Sequence, residues 1–140
     1  MNILKVLTEK RKTGNIGEDA AAKFLRKHGY RILERNYAEL GAEIDIIAKN
    51  REYYVFVEVK TRTLGHQSPK EPRPASSVTP EKQRKIIKCA ACFLGRYPEK
   101  PRVSFDVIEV YIEDGQIGVK IKEIKHIQNA FDKNTAYGRR

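Results

Sequence analysis

Apolar positions recur along this chain in two rhythms, one helical and one alternating. From Asn15 to His28, the residues Ile16, Ala20, Ala21, Ala22, Phe24 and Leu25 return at helical spacing, and Gly29 follows where a helix would stop. The spacing predicts a first helix there. Tyr30 to Tyr37 sets Ile32 among charged neighbours and predicts a first strand. Ile44, Ile46 and Ile47, and then Tyr53 to Val59, are rich in β-branched and aromatic residues, parted by the polar Lys49-Asn50-Arg51-Glu52. That pattern predicts a hairpin of two strands. Thr79-Pro80-Glu81 has the form of an N-cap followed by proline at the first helical position. Ile86, Cys89, Ala90, Phe93 and Leu94 supply the buried stripe of a second helix that Gly95 closes. Val103 to Ile112 and Ile117 to Ile124 predict two further strands around the turn Glu113-Asp114-Gly115-Gln116.

Between Thr61 and Val78 the rhythm stops. Gly65, Pro69, Pro72, Pro74, Ser76 and Ser77 displace apolar residues over a length unusual for a connection, which predicts a mobile loop at about 61–78. The expected layout is an N-terminal extension over 1–12, one domain over 13–124 and a C-terminal tail over 125–140 whose end, Arg139-Arg140, is frayed. Helix, three strands, helix, two strands predicts the α/β class, a mixed sheet flanked by helices. A chain of 140 residues suits a single domain with its own core.

Charge narrows the classes of function. Lys plus Arg number 28 against 18 Asp plus Glu, a formal charge of +10 with a pI near 9.7. Such a surface attracts a polyanion, whether DNA, RNA, an acidic protein or an anionic membrane, or else serves only to keep the chain soluble. No stretch has the apolar length of a membrane span, and the first twelve residues lack the features of a signal peptide. A cytoplasmic protein is expected. Cys89 and Cys92 are too few for a disulfide scaffold. Together with His28, His66 and His126 they make a poor zinc set, because the cysteines follow the buried stripe of a helix. Phosphate loops, dinucleotide fingerprints and nucleophilic serine motifs are absent.

The informative residues lie on the hairpin. Alternation puts Glu58 and Lys60 on one face, with Val55, Val57 and Val59 on the other, and it pairs Glu43 with Asp45 opposite Ile44 and Ile46. An even hairpin loop brings Asp45 and Glu58 to the same side, whereas an odd loop separates them. Two ionised carboxylates about 4 Å apart repel by roughly 4 kcal/mol at an effective dielectric near 20. Lys60 offsets part of that repulsion, and Mg²⁺ or Mn²⁺ suits an all-oxygen set better. The competing explanation is a solvated hairpin face that keeps an edge soluble.

Asp45 followed by Glu58-Val59-Lys60 at the end of an apolar strand resembles the PD-(D/E)XK superfamily of restriction-endonuclease-like nucleases. More closely, Gly17-Glu18, Glu43-Ile44-Asp45, Val57-Glu58-Val59-Lys60-Thr61-Arg62 and Phe105-Asp106-Val107 resemble the YraN family, related to archaeal Holliday-junction resolvases, over about Gly14 to Tyr111. One departure is that the family has glycine directly before the Glu-Ile-Asp run, while here Ala42 follows Gly41. The resemblance implies a restriction-endonuclease-like fold and metal ligation by Asp45, Glu58 and the carbonyl of Val59. It also implies Lys60 as catalytic lysine and Glu18 as a further acid from the first helix.

Glu18 has a second explanation, since Asn15 as N-cap with an acid three positions later forms a capping box. Glu43 and Asp106 are expected as supporting polar residues, Asp106 as part of a strand. Arg62, Lys70 and Arg73 on the loop, with Lys82, Arg84, Lys85 and Lys88 on the second helix, form either a surface that tracks phosphates or a solvated face. Tyr53, Tyr54 and Tyr97 are expected either to stack on bases or to pack across strands. The resulting expectation is a metal-dependent endonuclease acting on DNA, including branched DNA, in which a homodimer would match the substrate's twofold symmetry. The alternative is a non-catalytic nucleic-acid-binding module on the same fold.

Overall fold

The computed structural model describes residues 3–65, 78–99 and 101–138, with the side chains of the first helix from Gly14 onward. The predicted loop residues 66–77, Lys70 and Arg73 among them, lie outside the described residues, as do Arg139 and Arg140, whereas Val78 at the loop's end is buried in the core. Eight elements follow one another: α1 (Ile3–Lys27), β1 (Arg31–Glu39), β2 (Ala42–Lys49), β3 (Tyr53–Thr63), α2 (Pro80–Leu94), β4 (Arg102–Gly115), β5 (Gly118–Phe131) and α3 (Lys133–Tyr137). The five strands form one sheet in chain order. All neighbours are antiparallel except β3 and β4, which run parallel across the connection that contains α2.

Helices cover both faces of the sheet. Ala21, Ala22 and Leu25 of α1 pack on Ile46, Ala48, Val55, Val57, Ile108 and Val110. Ile86, Cys89, Ala90 and Phe93 of α2, with Ala136 of α3, pack on Ile47, Phe56, Val107 and Phe131. The second helix begins and ends where its sequence signals stand. The Thr79 side chain accepts from the Lys82 N–H, proline opens the first turn, and the Gly95 N–H closes on Ala91 O and Phe93 O.

Four expectations are corrected. The expected boundary after residue 12 is not found among the described residues: α1 runs unbroken from Ile3, so Asn15 is inside the helix and the capping box at Glu18 does not exist. Residues 125–138 are not a tail, because β5 continues to Phe131 and Asp132 then caps α3 through reciprocal bonds with Thr135. Its outer edge is solvated, with Lys120, Lys122 and Lys125 exposed, which hides the strand rhythm. The predicted start of the loop is still strand: β3 runs to Thr63, and the Leu64 N–H bonds Ile112 O. Last, Ile44 and Ile46 do not share a face. Ile46 joins the α1 cluster, and Ile44 joins Ile47 and Phe56 beneath α2. The β2–β3 ladder stops at Ile46↔Val57, so the strand is free to twist where it is no longer held on that side.

A two-residue turn, Leu40-Gly41, joins β1 to β2 with both residues at positive φ, 52° and 75°. Hairpin turns of this hand match the twist of the strands, which explains the glycine and makes Ala42 the first paired residue, opposite Glu39.

Candidate active site

The β2–β3 register decides whether the hairpin acids meet. Lys49 pairs with Tyr54, leaving an even loop of four residues in which Asn50 Oδ1 accepts the N–H groups of Glu52 (2.9 Å) and Tyr53 (2.7 Å). Continued from Ile46↔Val57, that register sets Asp45 across from Glu58. The two carboxylates line one cleft with Gly41, Ala42, Glu43, Thr79, Glu81, Lys82, Lys85 and Ile86, where β2 parts from β3 beside the start of α2.

At the parting, the ladder bond is replaced by a side chain. Asp45 Oδ2 accepts the Val59 N–H at 2.8 Å. In an extended strand, N–H and C=O of one residue point to the same neighbour, so the Val59 carbonyl faces the gap as well. Burial, followed by the charge of Glu58, pushes the Asp45 carboxyl up to about 7, against the pull of the Val59 N–H. Glu58 is 8% exposed, and its Oε1 accepts from Lys82 Nζ at 2.5 Å. Lys60 lies on the Glu58 side of β3. Its ammonium is lowered chiefly by burial, with Lys82 and Arg62 adding to the effect and Glu58 opposing it.

Glu18 arrives from the other face by a close approach. A Cβ on Gly17 would stand 1.9 Å from Thr61 Oγ1 and 3.0 Å from Thr61 Cβ, so only glycine lets α1 lie this near β3. Glu18 is raised by burial and steadied by Arg35, 3.6 Å from its Oε1. With its amide turned to donate, Asn36 Nδ2 lies 3.1 Å from Glu18 Oε1 and 3.2 Å from Glu43 Oε1. Asn36 stands opposite Asp45 between the pairs Arg35↔Ile46 and Tyr37↔Ile44, at φ 53°. Gly17→Ala is expected to destabilise the protein by about 1–2 kcal/mol, overpacking outweighing the helix-propensity gain, with most of the loss restored by Thr61→Ala. Urea denaturation of the two single variants and the double variant measures it.

The other expected residues divide. Lys82 and Lys85 flank the acids, and Lys82 is more intimate with the site than a residue of a phosphate-tracking surface. Lys88 is exposed farther along α2. Arg84 is committed to α3, donating to Ala136 O at 2.6 Å and covering the Tyr137 ring. Tyr54 and Tyr97 pack on each other, with centroids 5.5 Å apart. Asp106 is on the opposite face, 1% exposed, accepting from Ser104 Oγ (2.5 Å) and the Asn129 N–H (3.0 Å), with His126 Nε2 at 2.6 Å. It fastens β5 where the register shifts between Phe105 and Val107, a structural task. Cys89 is buried and Cys92 exposed, both free. Sequence reasoning missed Arg35, Asn36 and the Lys82–Glu58 pair. An asparagine inside a strand was the one available signal, since strands are depleted of it.

A three-layer α/β domain with an acid pair at the parting of two central strands and a half-buried lysine beside it is consistent with the restriction-endonuclease-like class. The chain belongs to the uncharacterised protein family UPF0102, whose model matches residues 17–110. This is the YraN family that the motifs resemble. A UPF0102 protein of Chlorobium phaeobacteroides is 46% identical over 121 residues, covering 84% of this chain and 92% of that one. One of Geobacter metallireducens is 43% identical over 120 residues, covering 85% and 91%.

Proposed function

We propose that the protein is a metal-dependent endonuclease that hydrolyses phosphodiester bonds in DNA, including branched DNA. The observation that carries this reading is the adjacency of Asp45 and Glu58 where β2 parts from β3, with Lys60 beside them. Among the described residues, no three His, Cys, Asp or Glu side chains group to hold a metal. The fit therefore rests on Asp45, Glu58 and the Val59 carbonyl, an oxygen-only set that suits Mg²⁺ or Mn²⁺. The raised Asp45 carboxyl supports it, because the pair resists double ionisation until a cation compensates. When bound, such an ion polarises a phosphoryl oxygen and acidifies a water.

Lys60 orients the attacking water and stabilises the negative charge that develops on the phosphoryl group. Glu18 adds negative charge near Asp45 from α1. Lys82, Lys85 and Arg62 attract the DNA backbone, and the net charge of +10 speeds encounter. Two copies on one branched substrate would match its twofold symmetry. Among the described residues, no helix is long and apolar enough to cross a membrane. The free cysteines suit a reducing compartment such as the cytoplasm.

A second reading, a binding module without turnover, is favoured by one contact: the Lys82 ammonium on Glu58 neutralises an acid with no ion required. Incubation with nicked, branched and linear DNA, in Mg²⁺, Mn²⁺ or chelator, separates the two. Metal-dependent cleavage lost by at least about a thousandfold in Asp45→Ala and Glu58→Ala, with binding kept, is the expected result. Salt-sensitive binding with no cleavage under any metal leaves the module, and no binding at low salt removes both.

A further inference from the structure

Beyond Lys60, one basic side chain is held in an unusual way. Glu109 of β4 is 2% exposed, and its two oxygens have different partners. Oε2 accepts from Arg62 Nε at 3.3 Å, and Oε1 accepts from the Tyr111 hydroxyl at 3.0 Å. The carboxylate thus grips the guanidinium by its inner nitrogen rather than by the terminal pair. Arg62 Nη2 is buried and, among the described residues, has no hydrogen-bond partner. Buried donors are almost always paired, so this nitrogen is open to a partner that the described residues do not supply, and the side chain as a whole is still 17% exposed.

Position suggests that partner. Glu58, Lys60 and Arg62 lie on one side of β3, each about 7 Å from the next at the rise of a strand. The register sets Lys60 beside Glu109 and Arg62 beside Tyr111. Acid pair, amine and guanidinium therefore form one row, and a guanidinium fork matches a phosphate better than any other side chain. We infer that Arg62, held from behind by Glu109 and Tyr111, is an anion subsite for the backbone phosphate next to the one attacked. The inference rests on the DNA-directed function proposed above. Glu109 and Tyr111 are positioning residues, acting through Arg62.

The test is binding of labelled duplex DNA to the full chain, by anisotropy in chelator over a salt series. Arg62→Gln is expected to weaken binding and lower the log–log salt slope by about 0.9, while Arg62→Lys keeps the slope and still loses affinity. Glu109→Gln gives the sharper result. Removing a negative charge should by itself tighten DNA binding, whereas loss of positioning weakens it, by roughly five- to tenfold. In the Arg62→Gln background it should add nothing. Tyr111→Phe moves affinity in the same direction by less, and decides the matter if Glu109→Gln does not fold.

Tighter or unchanged binding by Glu109→Gln, or an unchanged salt slope in Arg62→Gln, overturns the subsite. If the wild type binds and cleaves with Asp45 dependence while Arg62→Gln binds normally, only the subsite falls. If the wild type binds no DNA, the proposed function falls with it.

Discussion

Asp45→Asn is expected to make the protein more stable above pH 7 and to abolish metal-dependent cleavage. The carboxyl is held near 7 in the folded chain, against an ordinary value of 3.8, chiefly by burial and then by Glu58. An acid raised in this way favours the folded state only while protonated. Wild-type stability therefore falls as pH rises from about 4 to about 7, then levels off. A shift of about three pH units corresponds to at most about 4 kcal/mol. Asparagine stays neutral and still offers an oxygen to the Val59 N–H, so the variant should lack this slope. Urea denaturation at pH 4.5 and pH 8 measures it: the curves should lie close at the lower pH and separate by about 2–4 kcal/mol at the higher. Added Mg²⁺ should stabilise the wild type at pH 8 and leave the variant unchanged. Parallel pH profiles for the two proteins would mean that Asp45 is not strained by its neighbours, and the case for a cation there would lose its main support.

Asp106→Ala should have the opposite balance, a large loss of stability with little change in chemistry. Its buried carboxylate holds Ser104, His126 and the Asn129 N–H, and alanine leaves all three without that partner at partly buried positions. Removing one member of a buried charged network costs about 3–5 kcal/mol. Asp106→Asn keeps one acceptor and should cost less, about 1–3 kcal/mol. The expected signature is a lower denaturation midpoint with cleavage per folded molecule unchanged. If Asp106→Ala folds as well as the wild type and loses activity, Asp106 belongs to the chemistry instead.

The sequence shows most clearly those features that follow from a local rule. Thr79-Pro80 and Gly95 bound α2 because capping is settled within one turn. The even loop from Asn50 to Tyr53 was the condition for Asp45 and Glu58 to meet, and the register satisfies it. Features that depend on packing were hidden. The first twelve residues carry too much charge to advertise a helix, and β5 is too solvated to show alternation to Phe131. Ile44 left the face that alternation assigns it because β3 stops holding the strand at Ile46, which is a fact about pairing rather than composition. Lys82 was legible as a basic helix residue but not as the partner of Glu58, since the two are 24 positions apart. Gly17 belonged to a quoted motif, but its reason, contact with Thr61, exists only in three dimensions.

The lysines along β5 have a consequence of their own. This strand ends the sheet, and an unpaired row of backbone groups invites a neighbouring molecule to add one strand more. Three exposed cations, Lys120, Lys122 and Lys125, oppose that growth, because a second copy laid along the same border would bring like charge against like. Part of the chain's basicity thus guards against fibrous assembly, whatever polyanion the rest of it attracts.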